Sequence, residues 1–105
     1  MSKINHKDQI EQLINSNDVF VFMKGDQESP QCGFSALVVA IFKKLQVAFG
    51  SFDVLRDQAM RQAIKDYTEW PTIPQIFIKG EFIGGSDILQ ELYDKGELKK
   101  MVQGL

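Results

Sequence analysis

The stretch VFVFMKGDQESPQCGFSALVVAIFKKL, residues 19–45, decides the architecture. Its first five residues, Val19-Phe20-Val21-Phe22-Met23, form an unbroken apolar run rich in β-branched and aromatic side chains, the pattern of a strand buried on both faces. A polar loop, Lys24 to Gln31, follows, punctuated by Gly25 and Pro30. From Phe34, the apolar positions Leu37, Val38, Ile41, Phe42 and Leu45 fall at i, i+3, i+4, i+7, i+8 and i+11, the stripe of an amphipathic helix.

Working outward, residues 7–16 place Ile10, Leu13 and Ile14 at helical spacing, with Asn17-Asp18 at the end. Downstream, Val47 to Leu55 reads as a second strand, weakened by Gly50. Residues 57–69 read as a helix with Ala59, Met60, Ala63, Ile64 and Tyr67 inward, stopped by Trp70-Pro71-Thr72-Ile73-Pro74, because two prolines in five residues cannot continue it. Gln75 to Lys79 and Glu81 to Ile83 make a hairpin around Lys79-Gly80. Gly84-Gly85 leads into a last helix from Ser86, with Ile88, Leu89, Leu92 and Tyr93 on one face. Gly96 interrupts it, and Leu98, Met101 and Val102 point to a short continuation. The order α-β-α-β-α-β-β-α predicts an α/β fold: a βαβ unit with parallel strands, then a hairpin, giving a four-stranded mixed sheet flanked by helices.

Bulk numbers narrow the function. The 105 residues, 44% apolar and 25% charged, fit one domain over 1–105 with a core that needs no disulfide staples. A net charge of −2 leaves no footprint for nucleic acid, and no apolar run reaches the length of a membrane span, so neither partner is expected. Met1 to Asp8 carries Lys3, Lys7 and Asp8 without an apolar core or an Arg-rich bias, so neither a secretory nor a transit signal is read there. A cytoplasmic location is expected, or the mitochondrial matrix if a transit segment has been removed. The single cysteine, Cys32, cannot form an internal disulfide or fill a metal site alone. Any second sulfur must come from a small thiol or another chain.

Cys32 stands where the loop becomes a helix, so unpaired N–H groups and the positive dipole end favour its thiolate. Gly33 leaves room for another molecule beside the sulfur, and Phe34 starts the stripe expected to anchor the turn. Ser35 occupies the place of a resolving cysteine in a dithiol motif, and a hydroxyl cannot resolve a mixed disulfide.

Met23-Lys24-Gly25, Pro30-Gln31-Cys32-Gly33-Phe34-Ser35, Trp70-Pro71-Thr72-Ile73-Pro74-Gln75 and Gly84-Gly85-Ser86-Asp87 resemble, in order and spacing, the motifs of monothiol glutaredoxins of the Cys-Gly-Phe-Ser type. The resemblance covers nearly the whole chain. It implies a thioredoxin-like fold and a glutathione site beside Cys32.

Glutathione carries two carboxylates, an ammonium, two amides and a thiol, so its site needs charge at both ends and backbone between. The resemblance implies that Lys24 and Arg61 take the glycyl carboxylate, Arg61 by its fork geometry. Lys65, i+4 from Arg61, is left open between ligand contact and solvated surface. Thr72-Ile73-Pro74 resembles the cis-proline segment of thioredoxin-like folds, in which the Ile73 N–H and C=O pair with the cysteinyl unit. The N–H groups of Ser86 and Asp87 would bind the γ-glutamyl carboxylate at a helix N-terminus, with the Asp87 carboxylate on the ammonium; Ser86 can also serve as a plain N-cap. Trp70 is assigned no chemistry.

A [2Fe–2S] cluster takes four protein or small-molecule ligands. One Cys32 thiolate and one glutathione thiolate supply two, so two chains and two glutathiones complete the set, in agreement with the family's glutathione-bridged homodimer. The resemblance therefore implies cluster carriage to apo iron–sulfur clients, with BolA-like proteins as further partners. The alternative is an enzyme, a glutathione-dependent thiol–disulfide oxidoreductase acting through Cys32, an activity in which the family's Cys-Gly-Phe-Ser members are weak. Two departures stand out. Asp26-Gln27 replaces the family's common Thr-Pro, which is expected to loosen the loop and set a charge against thiolate formation, and Ser86 stands where many relatives have a second cysteine.

Overall fold

The run Val19–Met23 forms β1, the strand to which the rest of the sheet is referred. In this computed structural model, which describes residues 5–105, α1 (His6–Ile14) precedes it, and α2 (Gly33–Lys44) carries the chain to β2 (Gly50–Asp53). A 3-10 turn (Val54–Arg56) and α3 (Gln58–Thr68) follow, then β3 (Gln75–Ile78), β4 (Glu81–Gly84), α4 (Ser86–Asp94) and α5 (Glu97–Val102). Met1 to Ile4, on which half of the N-terminal reading falls, lie outside the described residues.

The sheet order is β2-β1-β3-β4. β1 runs parallel to β2, with Phe22 opposite Phe52, and antiparallel to β3, with Phe22 opposite Gln75. β3 and β4 close a hairpin through Lys79 and Gly80, both at positive φ (53° and 77°), the backbone that a two-residue turn of matching twist requires. This is the thioredoxin-like, four-stranded mixed sheet that the motifs imply.

Alternation along β1 divides the core. Val19, Val21 and Met23 pack with Val38, Val39, Ile41 and Phe42 of α2, Leu89 of α4 and Leu98 and Val102 of α5. Phe20 and Phe22 pack with Ile10 and Ile14 of α1 and Met60 and Ile64 of α3. All five residues of β1 are buried, as a strand covered on both faces demands. No helix among the described residues is long and apolar enough to cross a membrane.

Several expectations change. β2 is shorter than 47–55, because Asp53 accepts a hydrogen bond from the Leu55 N–H at 2.9 Å and bends the chain into the 3-10 turn. Ala59 and Tyr67 are exposed rather than inward; the buried line of α3 is Met60 and Ile64, and Tyr67 lies off the end of it. Phe34 does not anchor the turn, being 60% exposed. It sits in the first turn of α2, and helical side chains lean toward the N-terminus, so the ring projects past the helix end instead of onto the sheet. Ser35 is the residue turned inward there, fully buried.

Candidate functional site

The loop between β1 and α2 is held through its backbone by hydrogen bonds to α2, to β2 and across itself. The Lys24 N–H donates to Ser35 Oγ at 3.1 Å, the Gly25 N–H donates to Asp53 Oδ1 at 2.9 Å, and the Gln31 N–H donates to the Lys24 carbonyl at 2.9 Å. Gly25 adopts φ +84°, and a Cβ there would lie 2.5 Å from the Ser29 carbonyl oxygen, so only glycine fits this turn. The departure Asp26-Gln27 does not loosen the loop. Asp26 Oδ1 accepts from the N–H groups of Glu28 and Ser29 at 3.0 and 2.7 Å, and Gln27 Nε2 donates to the Phe49 carbonyl at 2.7 Å and to Ser51 Oγ at 3.2 Å. These bonds fasten the loop to itself and to the approach to β2.

Cys32 is the N-cap of α2, half-buried, with no side-chain cap bond. Its thiol is held below its ordinary value, first by the Ser35 N–H; partial burial opposes this, and the Phe34 N–H, the Lys24 charge and the Ser35 hydroxyl add to the lowering. The Asp26 charge expected to oppose the thiolate is not among these influences, its carboxylate being bonded to Glu28 and Ser29.

A groove of about 370 Å³ opens next to this turn. Lys24, Arg61, Ile73, Ser86 and Asp87 all line it, drawn together from β1's end, α3, the loop before β3 and the start of α4. Phe34, Lys65, Pro71, Thr72 and Pro74 complete the lining. Cys32 is outside the lining itself, two residues before the Phe34 wall and within electrostatic reach of Lys24. Lys65, left open by spacing, falls inside it. A larger hollow of about 800 Å³ lies at the far end of α2, between Lys44–Val47 and the α4–α5 region, and it holds neither Cys32 nor any of these residues. The residues singled out from the sequence gather at the smaller groove.

The Ile73–Pro74 bond is cis, as the resemblance implies. Among the described residues, neither the N–H nor the C=O of Ile73 has a hydrogen-bond partner. α4 starts one residue earlier than the capping expectation: Gly85 is the N-cap, and Ser86, buried in the first turn, makes no cap bond. Trp70 packs edge-on against Phe82 at 5.7 Å, and a Cβ on Gly85 would come within 3.3 Å of its Nε1. The indole thus backs the entry to α4.

Sequence reasoning missed Phe34 as a groove wall, and it missed Asp53 and Gln27 as supports of the loop. For Asp53, 28 residues from Gly25, no local spacing carries the signal. What results is a groove lined by three cationic side chains and by Asp87 in the first turn of α4, with a lowered thiol nearby. It suits a ligand carrying carboxylates, an ammonium and a sulfur.

Comparisons with known proteins bear on the family and the fold. Residues 19–83 match the family model described as Glutaredoxin. The chain is 54% identical over 97 residues to an uncharacterized monothiol glutaredoxin ycf64-like of Synechocystis sp., covering 92% of this chain and 91% of that one. Its fold matches the solution structure of reduced poplar apo GrxS14 with a TM-score of 0.82 at 45% identity, over 92% of this chain and 89% of the other. It also matches a buckwheat glutaredoxin–glutathione complex with a TM-score of 0.82 at 29% identity, over 92% and 86%. With its single cysteine in the Cys32-Gly33-Phe34-Ser35 turn, the chain belongs to the glutaredoxin family, among its monothiol members.

Proposed function

We propose that this protein binds glutathione in the groove beside Cys32 and carries a [2Fe–2S] cluster shared between two chains. The observation that carries the reading is a lowered, half-exposed lone thiol next to a groove lined by Lys24, Arg61, Lys65 and, in the first turn of α4, Asp87. Lys24 and Arg61 hold the glycyl carboxylate, with Lys65 alongside. The Ile73 backbone pairs with the cysteinyl unit. The Ser86 and Asp87 N–H groups take the γ-glutamyl carboxylate, and the Asp87 side chain takes the ammonium. The similarity to a glutaredoxin crystallised with glutathione supports this placement.

The cluster is cargo. Cys32 and a bound glutathione offer two thiolates, so a homodimer with two glutathiones meets the four positions on two irons. Half the ligand set is then an exchangeable small molecule, which suits transfer to apo iron–sulfur clients, with BolA-like proteins as regulatory partners. Residues 1–105 act as one glutaredoxin domain, in the cytoplasm or, after removal of a transit segment, the mitochondrial matrix.

The lowered thiol favours a second reading. The Cys32 thiolate attacks the glutathione sulfur of a protein–glutathione disulfide, the client thiolate leaves, and a second glutathione thiolate attacks the Cys32-bound glutathione. Oxidised glutathione and the Cys32 thiolate are released; in sum one free glutathione is consumed and the disulfide passes from the client to glutathione, with no other electron donor. Anaerobic reconstitution with iron, sulfide and glutathione separates the two. The carrier reading predicts a coloured dimer that is lost in Cys32→Ser. A colourless monomer with brisk mixed-disulfide turnover overturns it in favour of the enzyme.

A further inference from the structure

Gln75 is the largest polar side chain with no exposure at all, and it is not among the residues lining the groove. Its amide is nonetheless fully engaged. Oε1 accepts from Thr68 Oγ1 at 2.9 Å, and Nε2 donates to the Trp70 carbonyl at 3.0 Å and to the Thr72 carbonyl at 3.2 Å. Thr68 Oγ1 also lies 3.0 Å from the Ile64 carbonyl, one turn back in α3, a competing acceptor for its single proton.

The loop it clasps has few means of holding itself. Pro71 and Pro74 have no N–H, and Ile73 makes no hydrogen bond among the described residues. The Trp70 and Thr72 carbonyls therefore take their donors from a side chain, and Gln75 is that side chain for both. A buried, fully satisfied amide is rigid, because every alternative rotamer strands polar groups away from water. The same amide ties the loop to Thr68, at the end of the helix that carries Arg61 and Lys65. Two walls of the groove are thus referred to one buried side chain.

We propose that Gln75 is a positioning residue for the groove: through Thr68 it locks the Trp70–Pro74 loop to α3, fixing where Ile73 stands relative to Arg61 and Lys65. This rests on the reading of the groove as the glutathione site. It adds that affinity there depends on a residue that touches no ligand.

The test uses the full chain with Gln75→Leu, Thr68→Val and Thr68→Ser, measuring glutathione dissociation constants by calorimetry and backbone order parameters by nuclear magnetic resonance. Gln75→Leu keeps the volume but strands two carbonyls, while the Thr68 hydroxyl falls back on the Ile64 carbonyl. If it does not fold, the Thr68 pair decides. Thr68→Val is expected to weaken glutathione binding roughly tenfold and to lower the order parameters of Thr72 and Ile73 while leaving Phe22 and Phe77 rigid. Thr68→Ser, which keeps the hydroxyl, is expected to match the unsubstituted protein in both. Thr68→Val with unchanged affinity and a rigid loop overturns the proposal, as does Thr68→Ser failing to the same degree. Failure of the unsubstituted protein to bind glutathione overturns the functional reading instead, and the order parameters still decide the role of Gln75.

Discussion

Helices α1 and α3 begin differently from α2 and α4. The side chains of Asn5 and Asp57 cap the first pair, accepting from the Asp8 N–H at 3.3 Å and the Met60 N–H at 2.9 Å. The second pair begins at Cys32 and Gly85, and neither supplies a side-chain cap. The capped helices cover one face of the sheet and the uncapped ones the other. It is at the uncapped ends that Phe34, Ser86 and Asp87 enter the groove. A cap satisfies a helix's orphan donors internally, whereas an absent cap leaves them for something else. At α2 the beneficiary is visible, since the N–H groups of Ser35 and Phe34 lower the Cys32 thiol. (α5 also starts without a cap, at Gly96, but that residue closes α4, its N–H donating to the Tyr93 carbonyl.)

The sharpest way to break the contrast is to give α2 a cap. Cys32→Ser puts a strong capping residue where the thiol was. All thiol reactivity is expected to vanish while the fold gains up to about 1 kcal/mol. That gain corresponds to a rise of about 4–8 °C in the thermal midpoint. Thermal unfolding and a thiol titration check both halves. A lowered midpoint would show that the sulfur itself supports the start of α2, and the contrast would fail.

The reverse experiment removes a cap from the other face. Asp57→Ala leaves the Met60 N–H without its partner and is expected to cost about 1 kcal/mol in urea unfolding. Cys32 keeps its reactivity, since α3 contributes none of the groups that set its thiol. The two variants should therefore dissociate: one sturdy and inert, the other weakened and reactive. Loss of thiol reactivity in Asp57→Ala would mean that the two faces are coupled.

What the sequence made legible follows the same division. The β1 run, the middle of α2 and the Lys79-Gly80 turn were readable because their cause is local: side-chain period and backbone freedom. The gathering of Lys24, Arg61, Ile73, Ser86 and Asp87 was readable only through the resemblance, because they span more than 60 residues of chain and no spacing rule joins them. Phe34 misled because an apolar residue at the first position of a stripe looks like core, although in that turn it is Ser35 that faces inward. Gln27 misled because its bonds go to Phe49 and Ser51, more than 20 residues away, whereas the bonds of Asp26 to Glu28 and Ser29 are local. Ser35 looked like a missing cysteine. In the structure its hydroxyl accepts from the Lys24 N–H, and both its N–H and its hydroxyl favour the Cys32 thiolate.

Lys24→Gln sharpens the comparison at α2. It removes one of the lesser influences on the thiol and leaves the leading one, the Ser35 N–H, in place. The alkylation rate against pH should move to higher pH yet stay below the profile of an ordinary cysteine. The sign follows from the lowered thiol. A group depressed in the folded state contributes stability that is present above the unfolded value of about 8.5, and that contribution fades as pH falls through the folded midpoint. Unfolding of the two proteins should accordingly differ most at alkaline pH and converge in acid. An unshifted alkylation profile would remove Lys24 from the account of the thiol.

The smallest effect is expected at Asn5. Its bond to the Asp8 N–H is longer than the one Asp57 makes, and it is exposed where the Asp57 bond is partly buried. Water can replace an exposed cap at little loss, so Asn5→Ala should cost about 0.5 kcal/mol, the low end for a lost N-cap. That is a midpoint shift of about 2–4 °C, measurable beside Asp57→Ala in the same buffer. Equal losses at the two positions would mean that cap strength is set by the side chain alone, whatever covers it. In that case the bare starts of α2 and α4 would have to be explained by residue identity, with no reference to the groove at all. Unequal losses in the expected order tie the value of a helix start to what surrounds it, and by that rule the bare starts at half-buried Cys32 and buried Gly85 cost the fold more than an exposed bare start would.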